Sequence, residues 1–121
     1  MDELNKEELN EQFRRRTKLF AVAVVKFCKE LSNNYIDKVI INQLVKSATS
    51  TAANYRAACR ARSKAEFFSK ISIVVEEADE TLFWLELIEE AGINNSTILK
   101  ELQQESLEIL KIVAKARKNI Q

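Results

Sequence analysis

The chain has 121 residues, 46% apolar and 31% charged, with a formal net charge of +1, which is one domain in size and too apolar for a disordered chain. One Gly and no Pro exclude the turn-rich small β-sandwich and barrel. The absence of His removes the commonest general base and metal ligand, and Cys28 and Cys59 are too few for a disulfide scaffold or a structural zinc site.

Residues 1–10, MDELNKEELN, form an acidic leader that either frays or extends the first helix. It lacks the apolar segment of a signal peptide. Residues 11–121 carry four helical patterns. The first is expected over Glu11 to Leu31, where Phe13, Thr17, Phe20, Val24, Phe27 and Leu31 form one seam. Its apolar run from Leu19 to Val25 is bounded by Lys18 and Lys26 and falls far short of the roughly 18 residues that span a bilayer. A reducing cytoplasm is the expected location, with both Cys as thiols and no membrane partner.

Ser32, Asn33 and Asn34 suit a turn or cap. The second helix is expected from Tyr35 to Arg62, with a seam of Ile41, Leu44, Ala48, Thr51, Tyr55, Ala58 and Arg62. It contains seven small residues in a row, Ser47 to Ala53. Close approach of a neighbouring helix explains them better than a ligand site, since pockets are usually lined by larger apolar groups.

Ser63-Lys64-Ala65-Glu66 has the form of a capping box opening the third helix. That helix is expected to reach Ala91, with Phe67, Ile71, Val74, Ala78, Thr81, Leu85 and Ile88 on its seam. Gly92 sits where a left-handed C-cap is wanted. Asn94, Asn95 or Ser96 caps the fourth helix, whose seam is Leu99, Leu102, Ser106, Ile109, Val113, Ala116 and Ile120. Short links between long helices predict an all-α, antiparallel up-down-up-down four-helix bundle.

Charge is unevenly placed along the chain. Helices one and two are basic, helix three is acidic from Glu66 to Glu90, and helix four is mildly basic. Attraction between helix three and its basic neighbours is the first explanation. A basic surface that meets phosphate is the second, strengthened if an oligomer repeats the patch. No dinucleotide or phosphate loop is present. The acids of helix three lack the Glu-x-x-His pairs of a di-metal bundle site. Neither Cys has a His base. No enzyme chemistry and no cofactor is expected.

Several pieces between Gln43 and Ile88 carry a resemblance. They are Gln43-Leu44, Ser47, Ser50, Ala53-Asn54, the run Arg56 to Arg62, Ser63, Phe67, Lys70, Glu77-Ala78, Glu80-Thr81 and Trp84-Leu85. In this order they resemble the bacterial four-helix-bundle proteins encoded in intervening sequences of 23S ribosomal RNA genes. The family often has Gly near Ala52 and an acid near Ala57, so any role of that carboxylate is absent here. The resemblance implies a homopentameric ring. A relative in diversity-generating retroelements is a basic pentamer that works with a reverse transcriptase and nucleic acid.

The expected function is a non-enzymatic oligomeric scaffold associated with RNA or DNA. Arg14, Arg15, Arg16, Lys18, Arg56, Arg60, Arg62 and Lys64 are the candidate phosphate contacts. Arg56 and Arg60, four apart, are expected on one helix face. Asn54, Ser63, Glu66, Lys70, Glu77, Glu80 and Trp84 are read as a structural or assembly network. The alternative is an adaptor that recruits a protein partner without touching nucleic acid.

Overall fold

The seams read from the sequence are the buried stripes of four helices. A computed structural model describes residues 6–120. It contains α1 Lys6–Lys29, α2 Tyr35–Ala58, α3 Lys64–Glu90 and α4 Thr97–Lys118, with no strand among the described residues. Each helix packs on two neighbours, α1 on α2 and α4, and α3 on α2 and α4, while the backbones of the diagonal pairs stay apart among the described residues. The result is the antiparallel up-down-up-down bundle.

Two apolar clusters fill the interior. One holds Phe20, Val24, Leu44, Leu85, Ile88, Leu99 and Ile109. The other, toward the start of α1, holds Tyr55, Ile71, Val74, Ala78 and Val113. Each fully buried Leu, Ile or Val contributes about 1.5–3 kcal/mol. Between the clusters every seam carries a buried hydroxyl: Thr17, Thr51, Thr81 and Ser106, joined by Ser47. Thr17 and Thr51 donate to carbonyls of their own helices, Arg14 at 2.9 Å and Ser47 at 2.8 Å. Thr81 Oγ1 lies 3.0 Å from Ser47 Oγ and links α3 to α2.

The ends are set by specific caps. Asn34 Oδ1 accepts from the amide of Ile36 at 2.9 Å, Ser63 Oγ from Glu66 at 3.0 Å, and Ser96 Oγ from Leu99 at 3.2 Å. The capping box is only half made, because the Glu66 carboxylate faces Arg62 at 3.5 Å. Gly92 has φ +75°. Its amide reaches Glu89 O at 3.0 Å and the Ile93 amide reaches Ile88 O at 3.0 Å, the paired bonds of a Schellman cap.

Two helix ends need correction, and the charge expectation is met in part. The first helix begins at Lys6, so the leader extends it, one of the two readings above, and it ends at Lys29 and not at Leu31; residues 1–5 lie outside the described residues. The second ends at Ala58. Beyond it the amides of Arg60 and Ala61 bond to Ala57 O and Ala58 O, at 3.0 and 3.1 Å. These three-residue bonds tighten the chain into a turn, so Arg62 is exposed and not part of the seam. Acidic α3 does lie beside basic α2, though no ion pair links these two helices among the described residues. The cross-helix pairs are Arg16 with Glu105 and Glu108, and Lys100 with Glu89.

Candidate nucleic-acid interface

An open groove of about 700 Å³ runs between α1 and α2. Its rim carries Arg14, Arg15, Lys18, Lys26, Lys29 and Arg56, with Glu11 the one acid. Its floor is Ala21, Val22, Val25, Ala52 and Ala53. The small-residue run of α2 explains both faces of that helix. Ser47, Ala48 and Thr51 are buried, and Ser47 receives Thr81 of α3. Thr49, Ala52 and Ala53 turn the other way and leave the groove deep. Close helix approach therefore accounts for half of the run, and a recess for the rest.

The eight candidate phosphate contacts divide into three places. Arg14, Arg15, Lys18 and Arg56 line the groove together. Arg14 is held by Glu11 at 2.6 Å, which raises its already high pKa through that hydrogen bond. Arg16 does not join them. It crosses to α4 and makes a two-pronged bond to Glu105, at 2.8 and 2.7 Å. Arg60, Arg62 and Lys64 lie on the α2–α3 turn, where all three are exposed. Arg56 and Arg60 do not share a helix face, because α2 has already ended.

That turn lies at the end of the bundle that also carries Lys115, Arg117 and Lys118, alongside the acids Glu7, Glu8 and Glu66. The starts of α1 and α3 meet the ends of α2 and α4 there. Tyr55 Oη lies 3.5 Å from Asn10 Oδ1, and Phe13 stands edge-on to Tyr55 at 4.8 Å. Arg117 Nε donates to Ser72 Oγ at 3.0 Å and its guanidinium covers the Phe68 ring at 5.2 Å. Lys115 and Lys118 close α4 at the same end.

The residues expected to form one network are spread from Asn54 on α2 through the α2–α3 turn and along α3 to Trp84. Ser63 and Glu66 serve the turn. Asn54 Nδ2 donates to Ser50 O at 2.9 Å and Ser50 Oγ at 3.0 Å, within its own helix. Lys70 is half-buried and makes no ion pair among the described residues. Burial, then the neighbouring Glu80, push the Glu77 carboxyl up. Trp84 packs against the first cluster, with its Nε1 buried and unpartnered and its ring edge-on to Phe83 at 4.9 Å. Ser63 and Trp84 are about 30 Å apart at 1.5 Å per residue, too far for one hydrogen-bonded cluster.

Sequence reasoning passed over Lys26 and Lys29 as site residues, along with the exposed Phe83 between acids on α3. The spacing Lys18, Val22, Val25, Lys29 was the available signal, since steps of four and three share a face. Burial pushes the Cys28 thiol up to about 11 and raises Cys59 as well. No described helix is long and apolar enough to cross a membrane.

Residues 6–115 match the sequence profile of the family described as 23S rRNA-intervening sequence protein. A crystal structure from Bacteroides thetaiotaomicron, of a protein of unknown function from the S23 ribosomal protein family, is similar at 33% identity. The match covers 88% of this chain and 98% of that one, with a TM-score of 0.80. No curated protein matches. A profile match over nearly the whole bundle, together with that structural likeness, places this chain in the 23S rRNA-intervening sequence protein family.

Proposed function

We propose that the chain is a non-enzymatic, oligomeric scaffold that holds RNA by its phosphates at the end of the bundle that carries the α2–α3 turn. The observation that carries this reading is topological. The fold puts Arg60, Arg62 and Lys64 of the α2–α3 turn at the same end of the bundle as Lys115 and Lys118 of α4, with Arg56 about one turn below them on α2. Along the sequence the cations of the turn and those of α4 are about fifty residues apart, and the net charge is only +1. No base-reading element accompanies them, so binding is electrostatic and indifferent to sequence. The family description refers to an intervening sequence of 23S rRNA, which makes RNA the nucleic acid to test first. A ring of five copies, implied by the family resemblance, would repeat the patch and multiply a weak contact. The two thiols suit a reducing cytoplasm. A cofactor has no part in this reading.

The test is fluorescence anisotropy with a single-stranded RNA over a salt series. Wild type is expected to bind at low salt and weaken steeply. Arg56→Gln with Arg60→Gln removes two contacts and should flatten the log–log salt slope by about 1.4, at roughly 0.7 per phosphate on a single strand. Circular dichroism checks the fold. No wild-type binding at low salt overturns the reading. It would favour the adaptor instead, for which the exposed Phe83 and Val22 are the supporting observation.

A further inference from the structure

We propose that the α1–α2 groove of one copy receives the acidic outer face of α3 from a second copy. This rests on the oligomeric part of the proposed function and deepens it by naming the two surfaces. The argument begins with the groove, whose cations are largely uncompensated. Arg15, Lys18, Lys26, Lys29 and Arg56 make no ion pair among the described residues. Beneath them lies an apolar floor with Val22 41% exposed. A free nucleic acid would match the cations and leave that floor in water. A protein face with acids around an apolar centre would match both.

The chain carries one such face. At 100° per residue, Glu76, Asp79, Glu80, Phe83, Glu86 and Glu90 fall within one stripe of α3 about 120° wide. All six are exposed, and Phe83 is 53% so. None of the five acids makes an ion pair among the described residues. Crowding is already felt there, since Glu80 and Glu76 both help to raise Glu77.

The lengths agree. From Arg15 to Lys29 on α1, and from Glu76 to Glu90 on α3, the rise is about 21 Å at 1.5 Å per residue. Val22 stands midway along the first and Phe83 midway along the second. The aromatic ring therefore meets the alanine and valine floor when the flanking charges meet each other. On the strip of α2 between the two faces, Ser50, Ala53 and Ala57 are small, and Lys46 is the long, exposed side chain. Groove and stripe are different surfaces of one chain. Contact between them links copies either reciprocally in a dimer or head to tail in a ring.

Charge reversal tests this directly. Lys18→Glu with Lys26→Glu reverses the groove on both sides of Val22. Glu80→Lys with Glu86→Lys reverses the stripe on both sides of Phe83. Light scattering at moderate salt should give wild type at a multiple of 13.9 kDa and each variant at the monomer mass. Mixing the two variants one to one should restore association, because each then offers a surface the other complements. Lys38→Glu with Lys111→Glu, the same change in net charge at exposed sites elsewhere, should assemble as wild type. Circular dichroism must show all chains folded. A monomeric wild type overturns both this inference and the oligomeric scaffold. Wild-type assembly that survives either reversal, or that mixing fails to restore, overturns the inference alone. So does a groove variant that keeps its assembly mass and loses RNA binding, since the groove would then be the RNA site.

Discussion

Gly92 offers a clean test of how the third helix is stopped. Its φ is +75° and a Cβ built on it meets nothing within 4 Å. Replacement by Ala therefore introduces no clash with the rest of the bundle. What remains is the backbone term, about 1–2 kcal/mol for an L-residue held in the left-handed region. Against this, Ala restricts the unfolded chain and returns about 0.4–1 kcal/mol. The net loss expected for Gly92→Ala is about 1 kcal/mol. Unfolding entropy of about 2.1 cal/mol/K per residue converts this to a fall in Tm of about 4 °C for a chain of this length. Gly92→Asn should lose roughly half as much, because Asn enters that region more easily. Urea and thermal melts at one fixed protein concentration measure both, since assembly would otherwise raise Tm by mass action. An Ala variant as stable as wild type would refute the left-handed cap. A loss above about 3 kcal/mol would mean that the Cβ meets packed atoms and the open space is wrong.

The hydroxyl layer and the buried thiol give two more expectations. Thr81→Val keeps the shape of the side chain but removes its contact with Ser47 and its bond to Glu77 O at 2.7 Å, while Ser47 can still donate to Leu44 O at 3.2 Å. A loss of about 1 kcal/mol is expected in urea unfolding, and no loss would mean the hydroxyl contact contributes nothing. Burial raises the Cys28 thiol from 9.0 to about 11 and pushes the Tyr55 phenol up as well. The folded chain therefore keeps protons that the unfolded chain has already released. Stability should be full below about pH 9 and fall as pH rises from 9 toward 11. Urea midpoints across that range check the sign, and Cys28→Ala should flatten the decline.

Much of the fold was legible because the seams are regular and the caps explicit. The four-three spacing identified the buried stripe of every helix, and the single Gly marked the one left-handed residue among the described residues. The error at the end of α2 has a physical source. Cys59, Arg60, Ala61 and Arg62 contain no helix breaker, so the seam pattern ran on. The stop comes from the next helix. Ser63 caps α3 with an extended backbone, φ −156° and ψ 163°. The chain must leave its helical path before that residue to bring the hydroxyl onto the Glu66 amide. Local pattern describes a helix interior well, but a boundary can be set by the demand of the element that follows.

The candidate site was less legible, and its three consecutive arginines show why. Successive helical residues turn by 100°, so Arg14, Arg15 and Arg16 sweep about 200° and cannot all serve one surface. That much was available from spacing alone. Which of them would be diverted was not, since Arg16 finds Glu105 eighty-nine residues away, a contact that exists only once α4 packs beside α1. The same holds for the groove. Its cations come from α1, and its depth comes from small residues on α2 whose other face is spent on α3. A tally of charge by helix could register the excess on α1 and α2. Only the rotation of each helix, fixed by its buried stripe, decides that Lys18, Lys26 and Arg56 look across the same recess. In a bundle the core thus determines the surface: the residues that choose where function can sit are the buried ones that never touch it.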